Sequence, residues 1–264
     1  MTFIPRRSLL VGATALPLVA LRTRPSHAAE FSYKLATNLP ATHPLNTRNA
    51  EAAERIKAAT GAPVYAEGPH RASRPRFESE KHNPESGADR DFRPDVEVKH
   101  GDVIEGAGFA LEAVATPGHT ANHLAFAWTE RSINFVGDHV MGWSTSIVAP
   151  PDGSMIDYMA SLERLEQRPE QLYFSGHGPE IPEGPRYVRF LARHRRAREA
   201  SILHRLGKGE ADIPTMVRAI YIGLDPRLAN AAGYSVLAHL EDLVARGVVA
   251  TDGDPVIGGT YRMV

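Results

Sequence analysis

The sequence contains no cysteine among its 264 residues. This absence excludes disulfide bonds, thiolate metal ligands and a cysteine nucleophile together, although it is compatible with either a reducing or an oxidising compartment. The net charge is only −1, so no overall electrostatic field draws the chain to nucleic acid or to a membrane surface. The remaining composition, with 42% hydrophobic and 23% charged residues, is typical of a globular protein.

Long hydrophobic runs are also missing. The stretch Leu9–Leu21 has 13 residues, which is too short to span a bilayer as a helix. Arg6 and Arg7 precede it, and Ser26–Ala28 offers the small-x-Ala pattern of a signal-peptide cleavage site. The Arg-Arg-Ser-Leu-Leu motif is similar to twin-arginine export signals. We therefore expect residues 1–29 to be a leader and the protein to be periplasmic, or cytoplasmic if this leader is not genuine.

Three polar turns, each directly after an apolar run, carry candidate metal ligands. His119 follows a Thr-Pro-Gly turn, Asp138 follows a glycine, and His177 lies between two glycines. Imidazole nitrogens and carboxylate oxygens are the groups with which hydrolytic zinc sites are built. Gaps of 19 and 39 residues separate the three, so only a tertiary fold can bring them together. Because the chain has 12 histidines, the prediction depends on the turns that hold these residues.

Each candidate has a structural alternative. His119 and His177 can be ordinary loop histidines, and Asp138 can cap the turn that follows its strand. His139 is the alternative ligand beside Asp138, but we expect it to orient a ligand instead of binding the ion. His123 fits better as a neighbour in the adjacent strand than as a ligand.

Apolar runs bounded by turn residues predict strands, and periodic segments rich in Ala, Leu and Arg predict helices. The predicted strands are Phe109–Ala115, a hairpin of Leu124–Trp128 with Ser132–Val136, Leu172–Phe174, and a pair formed by Val248–Thr251 and Thr260–Val264. The predicted helices are Glu183–Leu206, Ile213–Tyr221 and Asn230–Arg246. The last two helices with the last strand pair have the pattern of a winged helix, in which 235–246 is the recognition-like helix.

From Ala58 onward the sequence resembles metallo-β-lactamase-fold hydrolases, in particular the lactamase-like-protein-2 type with a C-terminal winged helix. The resemblance is carried by Gly137–Thr145, Ala149–Gly153, Ser175–Pro179 and Ala232–Leu240. It implies an α/β fold, the αββα sandwich, and hydrolysis of an ester, thioester or phosphodiester by hydroxide held on Zn²⁺. It makes His119 a ligand of one ion, Asp138 the bridge between two ions and His177 a ligand of the second. It assigns no further catalytic residue.

The same resemblance shows what the sequence lacks. The family carries a His-x-His-x-Asp-His turn shortly before the helix that ends near Gly61, and the corresponding positions 44–49 read Pro-Leu-Asn-Thr-Arg-Asn. His43 is a poor replacement because Thr42 and Pro44 flank it. With four of seven ligands absent, we expect weak or no zinc binding and impaired hydrolysis. We also expect a sandwich without its N-terminal strands, with an open edge that favours aggregation.

The N-terminal part has a different resemblance. Phe31–Asn38, Ala41–Leu45 and Glu51–Lys57 look like the start of a periplasmic solute-binding protein of the TRAP-transporter type. A natural fusion within a shared helix and an artefact of sequence assembly would both give this pattern. The expected division is a leader at 1–29, a solute-binding-protein-like fragment at 30–57, a truncated metallo-β-lactamase-like domain at 58–195 and a winged helix at 196–264.

A non-catalytic binding module is the alternative function. One form is a fragment of a solute-binding protein, and the other is a winged helix that binds RNA or protein. The recognition-like helix carries Glu241 and Asp242, which makes a poor surface for phosphates. The arginine-rich helix before it, with Arg195 and Arg196, is the better candidate for RNA. Small-molecule esters or thioesters and RNA are therefore the substrates or partners considered, and no membrane span is expected.

Overall fold

The computed structural model describes residues 55–80 and 91–264. The predicted leader, nearly all of the solute-binding-protein-like fragment and positions 44–49 lie outside these residues and stay predictions. Residues 55–60 are helical, and Gly61 follows with a φ of 70°, the left-handed conformation in which helices commonly end. In the described ranges, no helix is both long and apolar enough to cross a membrane.

The strands and helices predicted between residues 109 and 264 are all present, and the structure adds elements that were not predicted. In chain order the described strands are β1 (Tyr65–Ala66), β2 (Val96–Glu97), β3 (Val103–Gly106), β4 (Phe109–Ala115), β5 (Leu124–Trp128), β6 (Ile133–Gly137), β7 (Leu172–Ser175), β8 (Ala211–Asp212), β9 (Val249–Thr251) and β10 (Thr260–Met263). The α-helices that follow residue 60 are α1 (Met155–Glu166), α2 (Gly184–Leu206), α3 (Ile213–Ile220) and α4 (Ala229–Ala245). The predicted hairpin, the strand before His177 and the three C-terminal helices are thus confirmed, to within one or two residues at their ends.

The main sheet has five strands in the order β3-β4-β5-β6-β7. Neighbouring strands are antiparallel except β6 and β7, which are parallel. Small and β-branched side chains such as Val114, Ala125 and Val136 are fully buried on one face, where Leu162 of α1 and Leu191 of α2 cover them. Because the parallel pair ends at the same edge, the residues that follow β6 and β7 become neighbours.

The second sheet is small. Within residues 55–80 and 91–264 it consists of β1 and β2, which pair in parallel over two residues each. Tyr65 of β1 packs with Leu124 and Phe126 over Val98 and Ile104 on the face of the main sheet that α1 and α2 leave open. In the described part, the main sheet is therefore covered by α1 and α2 on one face and by this short sheet on the other. The predicted loss of N-terminal strands concerns residues outside the described ranges and stays a prediction.

A winged helix completes the chain. Its three-stranded sheet has the order β8-β10-β9, and Ile202, Met216, Val236, Leu240 and Tyr261 form its core. The predicted β9–β10 wing is confirmed, whereas β8 was not predicted. The expected domain boundary at 195–196 falls inside α2, because this helix contributes side chains to both hydrophobic cores.

The recognition-like helix is embedded. Ser235, Val236, Ala238 and His239 of α4 are at least nine-tenths buried, and Ala238 belongs to the core of the sandwich. Arg195, which the RNA-binding alternative needs at the surface, is only 3% exposed. Binding of RNA by the remaining exposed arginines of α2 stays a prediction.

Acid stability should depend on His239. Burial is the main reason why the pKa of His239 is lowered to about 3, and the nearby Arg195, Arg198, His194 and Arg246 act in the same direction. The unfolded chain titrates near the ordinary value of about 6.5, so below that pH the unfolded state binds a proton that the folded state does not. Stability is therefore lost as the pH falls through this window.

Replacing His239→Leu should remove the part of the acid destabilisation that His239 causes. Between about pH 7.5 and about pH 5, we expect the parent chain to lose roughly 2 kcal/mol more stability than the variant. Urea unfolding at the two pH values measures this difference. His204→Leu is the control, because His204 is exposed and its replacement should leave the pH dependence unchanged. Equal acid destabilisation of parent and His239→Leu would contradict the prediction.

Candidate functional site

The three candidate ligands meet at one edge of the main sheet. His119 lies in the turn after β4, Asp138 directly follows β6, and His177 follows β7 by two residues. The His177 Nε2 atom lies 3.6 Å from Asp138 Oδ1, and both His119 and His177 act electrostatically on the Asp138 carboxyl. The structure thus places all three residues together, although they are far apart in sequence.

Two glycines shape the main chain around Asp138. Gly137 has a φ of 50°, which bends the chain sharply at the end of β6. A Cβ atom at Gly176 would lie only 2.2 Å from Asp138 Oδ1, so the carboxylate fills the space that any side chain at 176 would need. The Gly176 N–H donates to the Gly137 carbonyl at 2.8 Å. The ends of β6 and β7 are therefore fitted around this carboxylate.

Asp138 is a buried carboxyl group with few partners. Its residue is 5% exposed, and burial raises the pKa of its carboxyl, while His119 and His177 act in the opposite direction. Among the described residues, no hydrogen-bond donor reaches a carboxylate oxygen of Asp138, since His177 is too distant at 3.6 Å. A buried carboxylate in this condition is stabilised by a cation or by ordered water.

His119 is oriented by the main chain. Its Nδ1 atom lies 2.6 Å from the Ile147 carbonyl oxygen, which accepts a hydrogen bond and so places the proton on Nδ1. The Nε2 atom is then left with its lone pair, which is the form of imidazole that binds a metal. Ser146, the residue before, donates its hydroxyl to the carbonyls of Asp138 at 2.5 Å and His139 at 2.9 Å. Hydrogen bonds with Ser146 and Ile147 therefore fix the main chain at Asp138 and the orientation of the His119 ring.

His123 and His139 are buried behind the candidate ligands. Thr116 Oγ1 lies 2.7 Å from His123 Nδ1, and the His139 ring lies 4.5 Å from the ring of Tyr158. Burial lowers the pKa of His123 to about 3 and also lowers the pKa of His139. In the described residues, neither His139 ring nitrogen has a hydrogen-bond partner. The expected role of His139 in orienting a ligand therefore has no hydrogen bond to support it here.

The donor types fit a divalent cation, but their number does not fit two. His119, Asp138 and His177 supply two imidazoles and one carboxylate, whereas a hydrolytic site uses about three protein ligands for each ion. In residues 55–80 and 91–264, no group of three or more His, Asp or Glu side chains is arranged to hold an ion. In the described part of the chain, these three residues therefore do not by themselves form a metal-binding group.

Comparison with family models matches this architecture. A model described as the metallo-beta-lactamase superfamily matches residues 52–177, and a model described as the beta-lactamase associated winged helix domain matches residues 213–259. The chain carries a metallo-β-lactamase domain followed by a β-lactamase-associated winged helix. The metallo-β-lactamase match includes all three candidate ligands and begins after positions 44–49.

Curated relatives have the same character. The beta-lactamase-like protein 2 homolog of Drosophila melanogaster is 30% identical over 153 residues, which cover 57% of this chain and 51% of that protein. The atrochrysone carboxyl ACP thioesterase of Claviceps purpurea is 30% identical over 128 residues, covering 48% of this chain and 38% of that protein. The chain spans about half the length of the first of these relatives. The sequence is therefore similar to a hydrolase-like family, and one of the similar proteins is named as a thioesterase.

Solved structures show the same fold. A metallo-β-lactamase family protein from Thermus thermophilus has a TM-score of 0.58 and 23% identity, over 81% of this chain and 64% of that one. A β-lactamase domain protein from Burkholderia ambifaria has a TM-score of 0.59 and 21% identity, over 68% and 56% of the two chains. At these identities the similarity establishes the fold and nothing more specific.

The supporting contacts of the site were not predicted. Ser146, the Ile147 carbonyl and Arg195 hold the ligand loops, yet the sequence gives no signal for them. A carbonyl oxygen is present at every residue, so a hydrogen bond to it requires no particular side chain at the accepting position. Gly176 was indicated by the sequence, because it directly precedes His177 in a turn with glycine on both sides of the histidine.

Proposed function

We propose that this protein is a metal-dependent hydrolase of the metallo-β-lactamase superfamily whose metal site is incomplete, so that hydrolysis is impaired. The observation that carries the proposal is the buried, underpaired Asp138 carboxylate beside His177 and His119. When bound, a divalent cation would activate water for attack on an ester, thioester or phosphodiester. His119, Asp138 and His177 would hold that cation.

The site residues have separate tasks in this proposal. His119 offers Nε2 because the Ile147 carbonyl holds its Nδ1 proton. Asp138 supplies the negative charge in a position from which side chains exclude most water. His177 lies at the more exposed side of the carboxylate, with 34% of its side chain accessible. Substrate would therefore approach from the side of His177. The name of the Claviceps relative supports an acyl thioester as the first substrate to test.

Zinc binding should be weak and should depend on His119. We expect the parent chain to retain less than one equivalent of zinc after dialysis. We expect His119→Ala to lower the remaining affinity by roughly 10-fold or more, because even groups outside the ligand shell contribute ~10–100-fold. Competition with a chromophoric chelator measures both affinities. His204→Ala, which changes an exposed histidine on α2, is the matched control and should leave the affinity unchanged. Retention of two equivalents of zinc by the parent would refute the proposed impairment.

Restoring the missing ligands tests the cause of the impairment. A quadruple variant introduces the family's ligand turn at positions 44–49. Its substitutions are Pro44→His, Asn46→His, Arg48→Asp and Asn49→His. We expect the variant to bind more zinc than the parent and to hydrolyse an acyl thioester faster. The same variant with His119→Ala added is the control and should lose most of the gain. Brisk turnover by the parent chain that a chelator abolishes would show that no restoration is needed.

A further inference from the structure

The winged helix contacts two loops that border the candidate metal site. One contact runs from Ser235 of α4 through Arg195 of α2, and the other runs from Glu241 of α4 to Arg74. Both helix residues lie on the recognition-like helix, which is embedded against the sandwich. We name the two sets of contacts the Ser235 route and the Glu241 route.

The Ser235 route reaches the loop that holds His119 and Asp138. Arg195 donates from Nη1 to Ser235 Oγ at 3.1 Å and from Nη2 to the Ser146 carbonyl. Ser146 in turn donates its hydroxyl to the Asp138 carbonyl, and the next carbonyl, that of Ile147, accepts from His119. One buried guanidinium therefore connects the winged helix to the backbone that positions two candidate ligands.

The Glu241 route reaches the segment that precedes α1. Glu241 accepts from Arg74, which also donates to Glu80 at 2.6 Å and 3.0 Å. The neighbouring Ser73 donates its N–H to the Pro151 carbonyl and its hydroxyl to the Asp152 carbonyl, both at 2.8 Å.

The segment that Ser73 holds packs directly against the His119 turn. A Cβ atom at Gly153 would lie 2.7 Å from the Gly118 oxygen and 3.0 Å from the His119 oxygen. The Ser154 N–H donates to the Gly118 carbonyl at 2.9 Å. Displacement of residues 151–154 would therefore either break this hydrogen bond or move the His119 turn with it.

We propose that the winged helix is an intramolecular clamp for the candidate site, in which Ser235 and Glu241 are positioning residues for His119 and Asp138. Both routes end on backbone that adjoins a ligand, and both begin on α4. Because close-packed interiors compress little and transmit strain, a displacement of α4 is expected to shift the ligand loops as well. The Arg74–Glu241 pair is mostly shielded from water, with 19% and 18% of the two side chains exposed, which limits its screening by salt. This inference rests on the proposed metal function of the site.

The test is the double variant Ser235→Ala with Glu241→Gln, in the full chain. Circular dichroism establishes that the fold is retained, and proton–nitrogen correlation spectra report the imidazole signals of His119 and His177, assigned from their alanine variants. We expect the imidazole signals of His119 to shift and the affinity for added zinc to fall roughly 10-fold. Asp225→Asn is the control, because it breaks an exposed pair with Arg227 inside the winged helix and should alter neither readout.

The two proposals fail in different ways. Unchanged imidazole signals in the folded double variant would overturn the clamp, whatever its zinc affinity. Shifted imidazole signals together with a parent chain that retains two equivalents of zinc would support the clamp and refute the proposed impairment. If the double variant does not fold, each single variant is measured in its place against the same control, and unchanged signals in both again overturn the clamp.

Discussion

Replacing Gly118→Ala is expected to lower the free energy of unfolding by about 4 kcal/mol. A Cβ atom at this position would lie 2.3 Å from the Cα atom and 2.4 Å from the backbone nitrogen of Tyr158. These are backbone atoms in the first turn of α1, so no side-chain rotation relieves the overlap. Forcing extra atoms into a packed interior costs roughly 1–3 kcal/mol or more, and the φ of 134° adds a strain of about 1–3 kcal/mol for a residue with a Cβ.

Gly209→Ala separates these two causes. Gly209 has a φ of 121°, close to that of Gly118, but nothing lies within 4 Å of the position that a Cβ atom would take there. Its replacement should therefore show the backbone strain alone, about 1–3 kcal/mol. Urea unfolding of the two variants and the parent gives the difference. If Gly118→Ala costs no more than Gly209→Ala, the close contact between the His119 turn and α1 is not as the structure shows it.

Arg195→Ala is expected to cost about 3 kcal/mol of stability. The guanidinium is buried, donates to the Ser146 carbonyl and to Ser235 Oγ, and lies 5.1 Å from the centre of the Tyr158 ring. Its removal leaves a buried carbonyl without a donor, which costs about 1–3 kcal/mol. It also leaves a cavity where the side-chain stem was packed, which adds a cost that depends on how far the site collapses. Thermal unfolding should therefore begin at a clearly lower temperature.

Arg193→Ala is the matched control for Arg195→Ala. Arg193 lies on the same helix two residues earlier, but its side chain is exposed, and exposed substitutions typically change stability by less than about 0.5 kcal/mol. Arg195→Met adds a second comparison, because it keeps most of the stem and removes only the hydrogen bonds. Equal stability of the Arg193 and Arg195 variants would show that Arg195 is accessible to solvent, as the RNA-binding alternative requires.

The strands and the site turns were predictable for a common reason. Leu124–Trp128 is an apolar run and Phe109–Ala115 is apolar except for Glu112, both are bounded by turn residues, and the structure has them as β4 and β5 with the same bounds. His119, Asp138 and His177 each follow such a run, so a strand prediction also places each residue at a strand end. The pairing of β6 with β7 then brings Asp138 and His177 to one edge.

The position of α4 was not predictable from its sequence. Ala, Val and Leu occur on all sides of this helix, and nine of its residues are buried, which local periodicity cannot distinguish from a recognition helix with one free face. Glu241 and Asp242 were interpreted as a surface unsuited to phosphate. The structure shows instead that Glu241 binds Arg74 and that Asp242 binds Arg246. Both carboxylates therefore pair with arginines of this chain.

By itself, the sequence determined strands β4 to β7, the last three helices and the β9–β10 wing, the kind of donor atoms offered by the three turns, and the absence of the family's ligand turn at positions 44–49. These features depend on residues that are close together in the chain, so the sequence pattern alone is enough to predict them. Only the tertiary structure decided that Gly176 leaves room for the Asp138 carboxylate, that Ser146 and Ile147 hold both candidate ligands, and that the winged helix connects to their loops. Those contacts join backbone carbonyls and side chains far apart in the chain, and they exist only once the fold has formed.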